Sequence, residues 1–263
     1  MSLSISALNS GSNGNCYYVG NQQEAVLIDV GISCTAVEKR LAGLQIPIDR
    51  VKAVFVSHEH TDHTKGVSTF ANKYGLPVYI SVEAARNGPR LIRHLSQTLR
   101  PQQPVAIGTL EVIAFNKCHD ANEPFSFAIT CDHTTVGVFT DHGRVCDDTI
   151  HYFKKCHAAF LESNYDAGML HNGPYSDALK ARIRGGLGHL SNAQALDLFT
   201  NHRPAFMSHL ILSHISSRNN TPQLVQQLFS PHAGNTQIIL ASRQQATALY
   251  EIGIAATLKS PQA

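Results

Sequence analysis

The chain lacks the features that would place it outside ordinary intracellular chemistry. Its six cysteines, at 16, 34, 118, 131, 146 and 156, form no CxxC pair. That argues against a zinc ribbon or a small disulfide scaffold and leaves them as buried thiols. The opening MSLSISALNS has neither a cationic segment nor a long apolar one, and no later run approaches the roughly 18 apolar residues a bilayer crossing needs. No membrane association is expected, and residence in the cytoplasm is. Charge is sparse too: Asp, Glu, Lys and Arg make up 15% of the chain and the net charge is +2. A balance this mild does not by itself mark a nucleic-acid binder, although local basic clusters can still build a positive groove. With 43% hydrophobic residues, the composition is that of a packed protein and not of a disordered one. No linker or low-complexity segment interrupts the 263 residues, so a single domain over 1–263 is expected.

The first third alternates apolar runs with turn signals: SISAL, SGSNGN, CYYVG and AVLIDVG read as antiparallel strands. CTAVEKRLAGL places Val37, Leu41 and Leu44 at helical spacing, and VKAVFVS follows as a buried strand. VSTFANKYG reads as helix, GLPVYIS as strand, and AARNGPRLIRHL as a short helix. From about residue 105 to 140 strands return, in VAIGTLEVIAF, PFSFAITC and TVGVFTD. AAFLES and MSHLILSH are further strands, SNAQALDLFTNH is a helix capped by Ser191, PQLVQQLFS is a helix, and NTQIILA closes the series. Strands with helices in both halves suggest two sheets packed together with helices outside, an α/β fold of αββα type.

Histidine is what the chain has in quantity, with 15 residues. Three fall in Ser57-His58-Glu59-His60-Thr61-Asp62-His63, just after the buried strand. His58 and His60, two apart on extended backbone, project to one side and can meet one metal. Asp62 and His63 fall on the turn beyond and can reach a second. Imidazoles with a carboxylate suit zinc, manganese or iron. This is not the HExxH helix of zinc proteases, because Asp62 stands where the second histidine would be required.

SHEHTDH matches the HxHxDH signature of the metallo-β-lactamase superfamily, and the traced elements are similar to that superfamily's fold, two mixed β-sheets packed face to face with helices outside. The resemblance implies two divalent metal ions, zinc or manganese, and further ligands at strand ends. His119 in KCHDANEP would join His58 and His60 on the first metal. Asp141, closing TVGVFTD, would bridge the two, in preference to Asp132, Asp147 or Asp148. His214 in LSHISSRNN, in preference to His209, would join Asp62 and His63 on the second. Asp29 of AVLIDVG would hold the histidine loop without touching metal.

Within the superfamily, GHLSNAQA around His189 and HISSRN around His214 look like the GHST and HFSxRY motifs of the tRNA-processing endonuclease branch. The likeness implies that His189, paired with Glu162 of LESNYD, protonates a leaving oxygen, while Asp62 orients a water activated by the metals. A carboxylate hydrogen-bonded to an imidazole fixes its tautomer. Taken together with SGSNGNC, CHDANEP and FTDHG, these motifs most resemble the YycJ/WalJ (VicX) group of small DNA exonucleases. The implied function is a dinuclear metal-dependent phosphodiesterase with nucleic acid as substrate and no obligate protein partner. The rival readings are a hydrolase of a small thioester, lactone or lactam, which would not need His189 or Glu162, and a metal-dependent regulatory binding module. The chain has no long arm of the kind that grips tRNA and no room for the extra domain of larger nucleases of this superfamily. The SGSNGN turn can present backbone N–H groups to a phosphate or serve simply as a tight hairpin. Arg90, Arg93 and Arg100, and Lys180, Arg182 and Arg184, are candidates to grip a nucleic-acid backbone.

Overall fold

Runs such as AVLI and VKAVF carry apolar residues at successive positions, so a strand built from them must be covered on both faces. The computed structural model, which describes residues 2–88, 90 and 94–253, provides that cover. One sheet contains Leu3–Asn9 (β1), Cys16–Gly20 (β2), Ala25–Ile28 (β3), Val51–Phe55 (β4), Val78–Ile80 (β5), Ser96–Thr98 (β6) and, at its far edge, Tyr250–Ile252 (β14). The other contains Pro104–Ile107 (β7), Leu110–Asn116 (β8), Phe125–Cys131 (β9), Thr134–Phe139 (β10), Ala158–Glu162 (β11), His209–Ser213 (β12) and Gln237–Leu240 (β13). In β3, Val26 and Ile28 face the opposite sheet, while Ala25 and Leu27 face helices. The helices Cys34–Gly43 and Val67–Tyr74 cover the first sheet through Val37, Leu41, Val67 and Phe70. Asn192–His202 and Pro222–Phe229 cover the second through Leu198, Phe199, Val225 and Phe229. The αββα expectation is borne out.

Local signals set the helix ends. Ser33 accepts from Ala36 N, Ser191 and Gln194 form a capping box, and Gly75 ends its helix at φ 65. The sequence reading differs from the structure in places. The segment expected to be helical as AARNGPRLIRHL is a helix over Val82–Asn87 ending at Gly88, and residues 89 and 91–93 lie outside the described residues. Helices at Asp147–Phe153, Ala167–Asn172 and Asp177–Arg184 were not expected, nor were the three-residue edge strands β6 and β14. The last of these pairs antiparallel with β1 and so returns the chain to the first sheet. Four of the cysteines are buried as expected, whereas Cys118 and Cys146 are half-buried; all six are free thiols.

Each sheet begins antiparallel and becomes parallel: β3–β4–β5–β6 in one, β10–β11–β12–β13 in the other. Parallel strands end at the same edge, which is where ligands collect in α/β sheets. Asp29 follows β3, Ser57 and His58 follow β4, Asp141 follows β10, Glu162 ends β11 and His214 follows β12. In register, Glu162 sits opposite Ser213, which puts the last three carriers side by side.

The core between the sheets holds them in place. Phe127 of β9 is fully buried there, its ring 5.9 Å from that of Phe55 in the opposite sheet. Replacing Phe127 with alanine is expected to cost about 3–5 kcal/mol, measurable as a lower denaturant midpoint. A loss under about 1 kcal/mol would show that this contact does not join the sheets.

Candidate metal centre

The seven residues expected to bind metal come together at the common edge of the two sheets. Nitrogen and oxygen atoms of His58, His60 and His119 lie within 4.8 Å of one another, and so do those of Asp62, His63 and His214. Asp141 belongs with both His63 and His214. In distances, His58 Nε2 is 3.0 Å and His119 Nε2 3.4 Å from His60 Nδ1. His63 Nε2 is 3.0 Å from Asp141 Oδ2. His214 Nε2 is 3.6 Å from Asp62 Oδ2 and 3.7 Å from Asp141 Oδ1.

Four of the imidazoles are fixed the same way. Nδ1 is tied to the surrounding protein: His58 to Ser57 Oγ at 2.9 Å, His63 to Asp29 Oδ2 at 2.6 Å, His119 to Gly188 O at 3.1 Å and His214 to Glu162 Oε1 at 3.1 Å. Each therefore turns Nε2 inward, the orientation that supporting partners impose on metal-binding histidines. Among the described residues, His214 Nε2 and Asp141 Oδ2 are buried with no well-directed hydrogen bond, although Asp141 Oδ2 is only 3.0 Å from His63 Nε2. Buried polar atoms left this way are costly unless something else satisfies them. Divalent ions would do so, and the nitrogen and carboxylate donors fit them.

The charges agree. Burial, together with the nearby His63, keeps the His58 imidazole well below its ordinary range, and burial takes His119 down to about 4. Both have free lone pairs at neutral pH. Burial also opposes charge on His63, but the carboxylates of Asp141, Asp29 and Asp62 outweigh it and raise the group to about 10. His214 is raised as well, against its burial, chiefly by Asp141. Protons on these two rings balance carboxylates whose charge metal ions would otherwise balance, so uptake of metal displaces them. Asp141, despite burial, is held well below the carboxylate range by His214 and His63.

Asp29 occupies the supporting place expected of it. It accepts from Ser57 N and Ser57 Oγ, each at 2.8 Å, as well as from His63. Asp29, Asp141 and His214 all sit at positive φ, 61, 57 and 52. Non-glycine residues adopt that conformation at a cost, typically at functional turns. His209 lies on β12 with its ring 5.5 Å from that of Tyr250 and takes no part in the cluster.

His189 and Glu162 also meet here. His189 Nδ1 donates to Glu162 Oε1 at 2.7 Å and lies 3.6 Å from Asp141 Oδ1. Glu162 is fully buried and accepts further from His142 N at 2.8 Å and Leu190 N at 3.3 Å. Burial would raise its pKa, but His189 and the hydrogen bonds from His189 and His214 hold it at about 2. One carboxylate thus positions both His189 and the candidate ligand His214. A cleft of about 190 Å³, lined by His60, Asp62, His119, Asp141, His189 and His214, opens over the cluster.

Several residues here gave no signal in sequence. Asn15 Nδ2 lies 3.0 Å from His63 Nε2 and 3.3 Å from Asp62 Oδ2. Lys117 is buried and donates to Thr140 O at 2.7 Å; burial lowers its pKa, while Asp141 and Asp29 counter that. The SGSNGN loop acts more as a clamp than as a phosphate cradle. Gly11 N donates to Asn15 Oδ1, Gly14 N to Gly11 O and Asn15 N to Asp62 O, so these amides are already engaged. Of the basic candidates, Arg182 lines the cleft and pairs with Asp120 at 2.5 Å, and Lys180 donates to His171 O at 2.7 Å. Arg93 lies outside the described residues.

Gly31 shows how closely the loops are packed. A Cβ there would stand 1.7 Å from Asp62 O and 2.6 Å from Asn15 N. Gly31→Ala is therefore expected to push the Asp62 loop off the cluster and destabilise the protein by about 1–3 kcal/mol or more. Thermal unfolding reads this as about 2–4 °C per kcal/mol. An unchanged melting point with full metal content would refute the clash.

A model of the metallo-beta-lactamase superfamily matches residues 10–146. The exodeoxyribonuclease YycJ of Bacillus anthracis is 33% identical over 234 residues, covering 88% of this chain and 89% of that protein. The exodeoxyribonuclease WalJ of Streptococcus pneumoniae is 28% identical over 226 residues, covering 83% and 84%. Among solved structures, the metallo-beta-lactamase fold protein YhfI of Bacillus subtilis has a TM-score of 0.71 at 17% identity, covering 95% of this chain and 99% of that one. At that identity the likeness speaks to fold alone.

Proposed function

Because the chain belongs to the metallo-β-lactamase superfamily, we propose that its cleft is the active site of a zinc- or manganese-dependent phosphodiesterase that degrades DNA as an exonuclease. One observation carries the phosphodiester reading. A histidine that is not one of the seven proposed ligands, His189, is held by Glu162 at 2.7 Å beside Asp141 and lines the cleft. Hydrolysis of an activated ester or lactam needs no such group, whereas a poor alkoxide leaving group does. The names of the two exodeoxyribonuclease relatives support DNA as the substrate.

When bound, two divalent ions supply positive charge to the phosphoryl oxygens and lower the pKa of water toward neutrality. His58, His60 and His119 would hold one ion, Asp62, His63 and His214 the other, with Asp141 shared. Asp62, braced by Asn15, orients the attacking water by accepting its hydrogen bond. Glu162 accepts from Nδ1 of His189 and so supports the imidazolium form, in which Nε2 also carries a proton. Nε2 gives that proton to the leaving oxygen, and the ring is left neutral with its remaining proton on Nδ1. Arg182, exposed at the cleft, meets the backbone of the incoming strand.

The whole chain acts as one domain in this reading, supported by the core that both sheets share. Cytoplasmic residence is supported by the six unpaired cysteines, as a reducing compartment favours free thiols. Among the described residues, no helix is long and apolar enough to cross a membrane.

End-labelled single- and double-stranded DNA and RNA, digested by the zinc- or manganese-loaded protein, test the proposal. Release of mononucleotides from DNA ends, stopped by a chelator, is the expected result. Absence of cleavage with either metal would overturn it, and cleavage of RNA alone would overturn the choice of DNA.

A further inference from the structure

Beside the catalytic cleft, on the His214 side, lies a second and larger pocket of about 480 Å³. The two share a wall. Ser10, which lines this pocket, accepts from His214 N at 2.7 Å, and Ser12 of the same loop lines the cleft. The chain leaving His214 continues directly into the pocket as Ile215, Ser216 and Ser217.

The lining has two characters. Ile215, Pro222, Leu240 and Ala241 are apolar, and hydroxyl and amide side chains stand among them. None of the lining residues is acidic, and Arg243 alone carries a full charge. Its backbone is anchored, for Arg243 O accepts from Asn13 Nδ2 at 3.0 Å and the adjacent Ser242 O accepts from Ser10 N at 3.1 Å. The guanidinium rests on Gly11, where a Cβ would come within 3.1 Å of Nη2. Nη2 is shut from water and has no hydrogen-bond partner among the described residues. The residue as a whole is only half-buried and lines the pocket, so the desolvation is confined to that one nitrogen, and the planar fork of the guanidinium suits phosphate.

We propose that this pocket is a nucleotide subsite, which takes the nucleotide flanking the scissile phosphodiester, its base against Ile215, Pro222 and Leu240 and its phosphate on Arg243. The assignment rests on the phosphodiesterase reading and extends it. Ser10 in the pocket and Ser12 in the cleft belong to one loop, and Ser10 Oγ accepts from His214 N, so a strand held in the cleft passes beside the pocket. The apolar patch accepts any base, and Arg243 supplies the charge-assisted bonds that hold a phosphate.

Calorimetric titration of the full chain with dAMP and with deoxyadenosine tests the pocket without reference to catalysis. Binding of dAMP is expected to weaken about tenfold or more in Arg243→Gln, the scale of hydrogen bonds to a charged group. Deoxyadenosine, lacking the phosphate, should be insensitive to that change. Ser217→Trp, at an exposed position on the pocket rim, should weaken both ligands by filling the space. Equal dAMP affinity in wild type and both variants would overturn the subsite, as would failure of dAMP to bind the wild type. In kinetics, the Arg243→Gln loss on a DNA oligonucleotide should exceed its loss on bis-p-nitrophenyl phosphate by about tenfold. Equal losses on the two would count against the proposal. Should the wild type cleave no phosphodiester at all, the parent reading fails, while the dAMP titration still decides the pocket.

Discussion

Asp141→Asn is expected to lower phosphodiester turnover by about a thousandfold or more and to deplete bound metal. Charge stabilisation at a metal centre is worth several kcal/mol, and each 1.36 kcal/mol is a factor of ten. Asp141 is 2% exposed, and its oxygens reach His63, His214 and His189 at 3.0, 3.7 and 3.6 Å, so its charge stands between both candidate ion positions. Asparagine is the informative replacement. The residue sits at φ 57, a conformation that asparagine tolerates better than most side chains, so the backbone turn survives while the charge is removed. Metal content by atomic emission and hydrolysis of bis-p-nitrophenyl phosphate give the two readouts. Full metal content with near-normal turnover would sink the assignment of Asp141 as the shared ligand.

His189→Ala separates acid catalysis from metal binding. Turnover of DNA should fall about 10² to 10⁴-fold, the usual contribution of a general acid, while metal content is retained. The loss on bis-p-nitrophenyl phosphate should be much smaller, because p-nitrophenolate departs without being protonated. A role confined to structure would depress both substrates alike. Glu162→Gln should behave differently from His189→Ala, since Glu162 also accepts from His214 Nδ1 at 3.1 Å. It should cost about 10 to 100-fold in metal affinity as well as activity, the range for a residue that supports a ligand. Identical loss on the two substrates in His189→Ala, together with loss of metal, would place His189 in the scaffold and remove the main argument for a phosphodiester.

The local chemistry of the site was readable because it is compressed into a few residues. His58, His60, Asp62 and His63 lie in one six-residue stretch whose backbone alone dictates that the side chains diverge to neighbouring points. The strands were readable where apolar runs are long and the helices where a cap is written in sequence, as at Ser33 and Ser191. By contrast β6 and β14, SQT and YEI, owe their conformation to the strands beside them. Three residues of mixed character carry no periodicity, and only pairing with Val78–Ile80 and Leu3–Ile5 makes them strands.

Sequence by itself determined the donor types, the histidine loop and the alternation of strands and helices, because these depend on neighbours within a few residues. Resemblance extended the ligand set to His119, Asp141 and His214, with Glu162 and His189 beyond it. Only the tertiary structure decided that these five, drawn from positions 119 to 214, meet His58 to His63 at one edge. The reason is the common direction of the parallel strands, whose carboxyl ends lie together in both sheets. It alone revealed Asn15, Lys117 and Gly31 beside the cluster, since long-range approach leaves no mark on local pattern. It also showed that Asn15 N of the SGSNGN loop donates to Asp62 O, and that Arg243 Nη2 in the neighbouring pocket has no hydrogen-bond partner among the described residues.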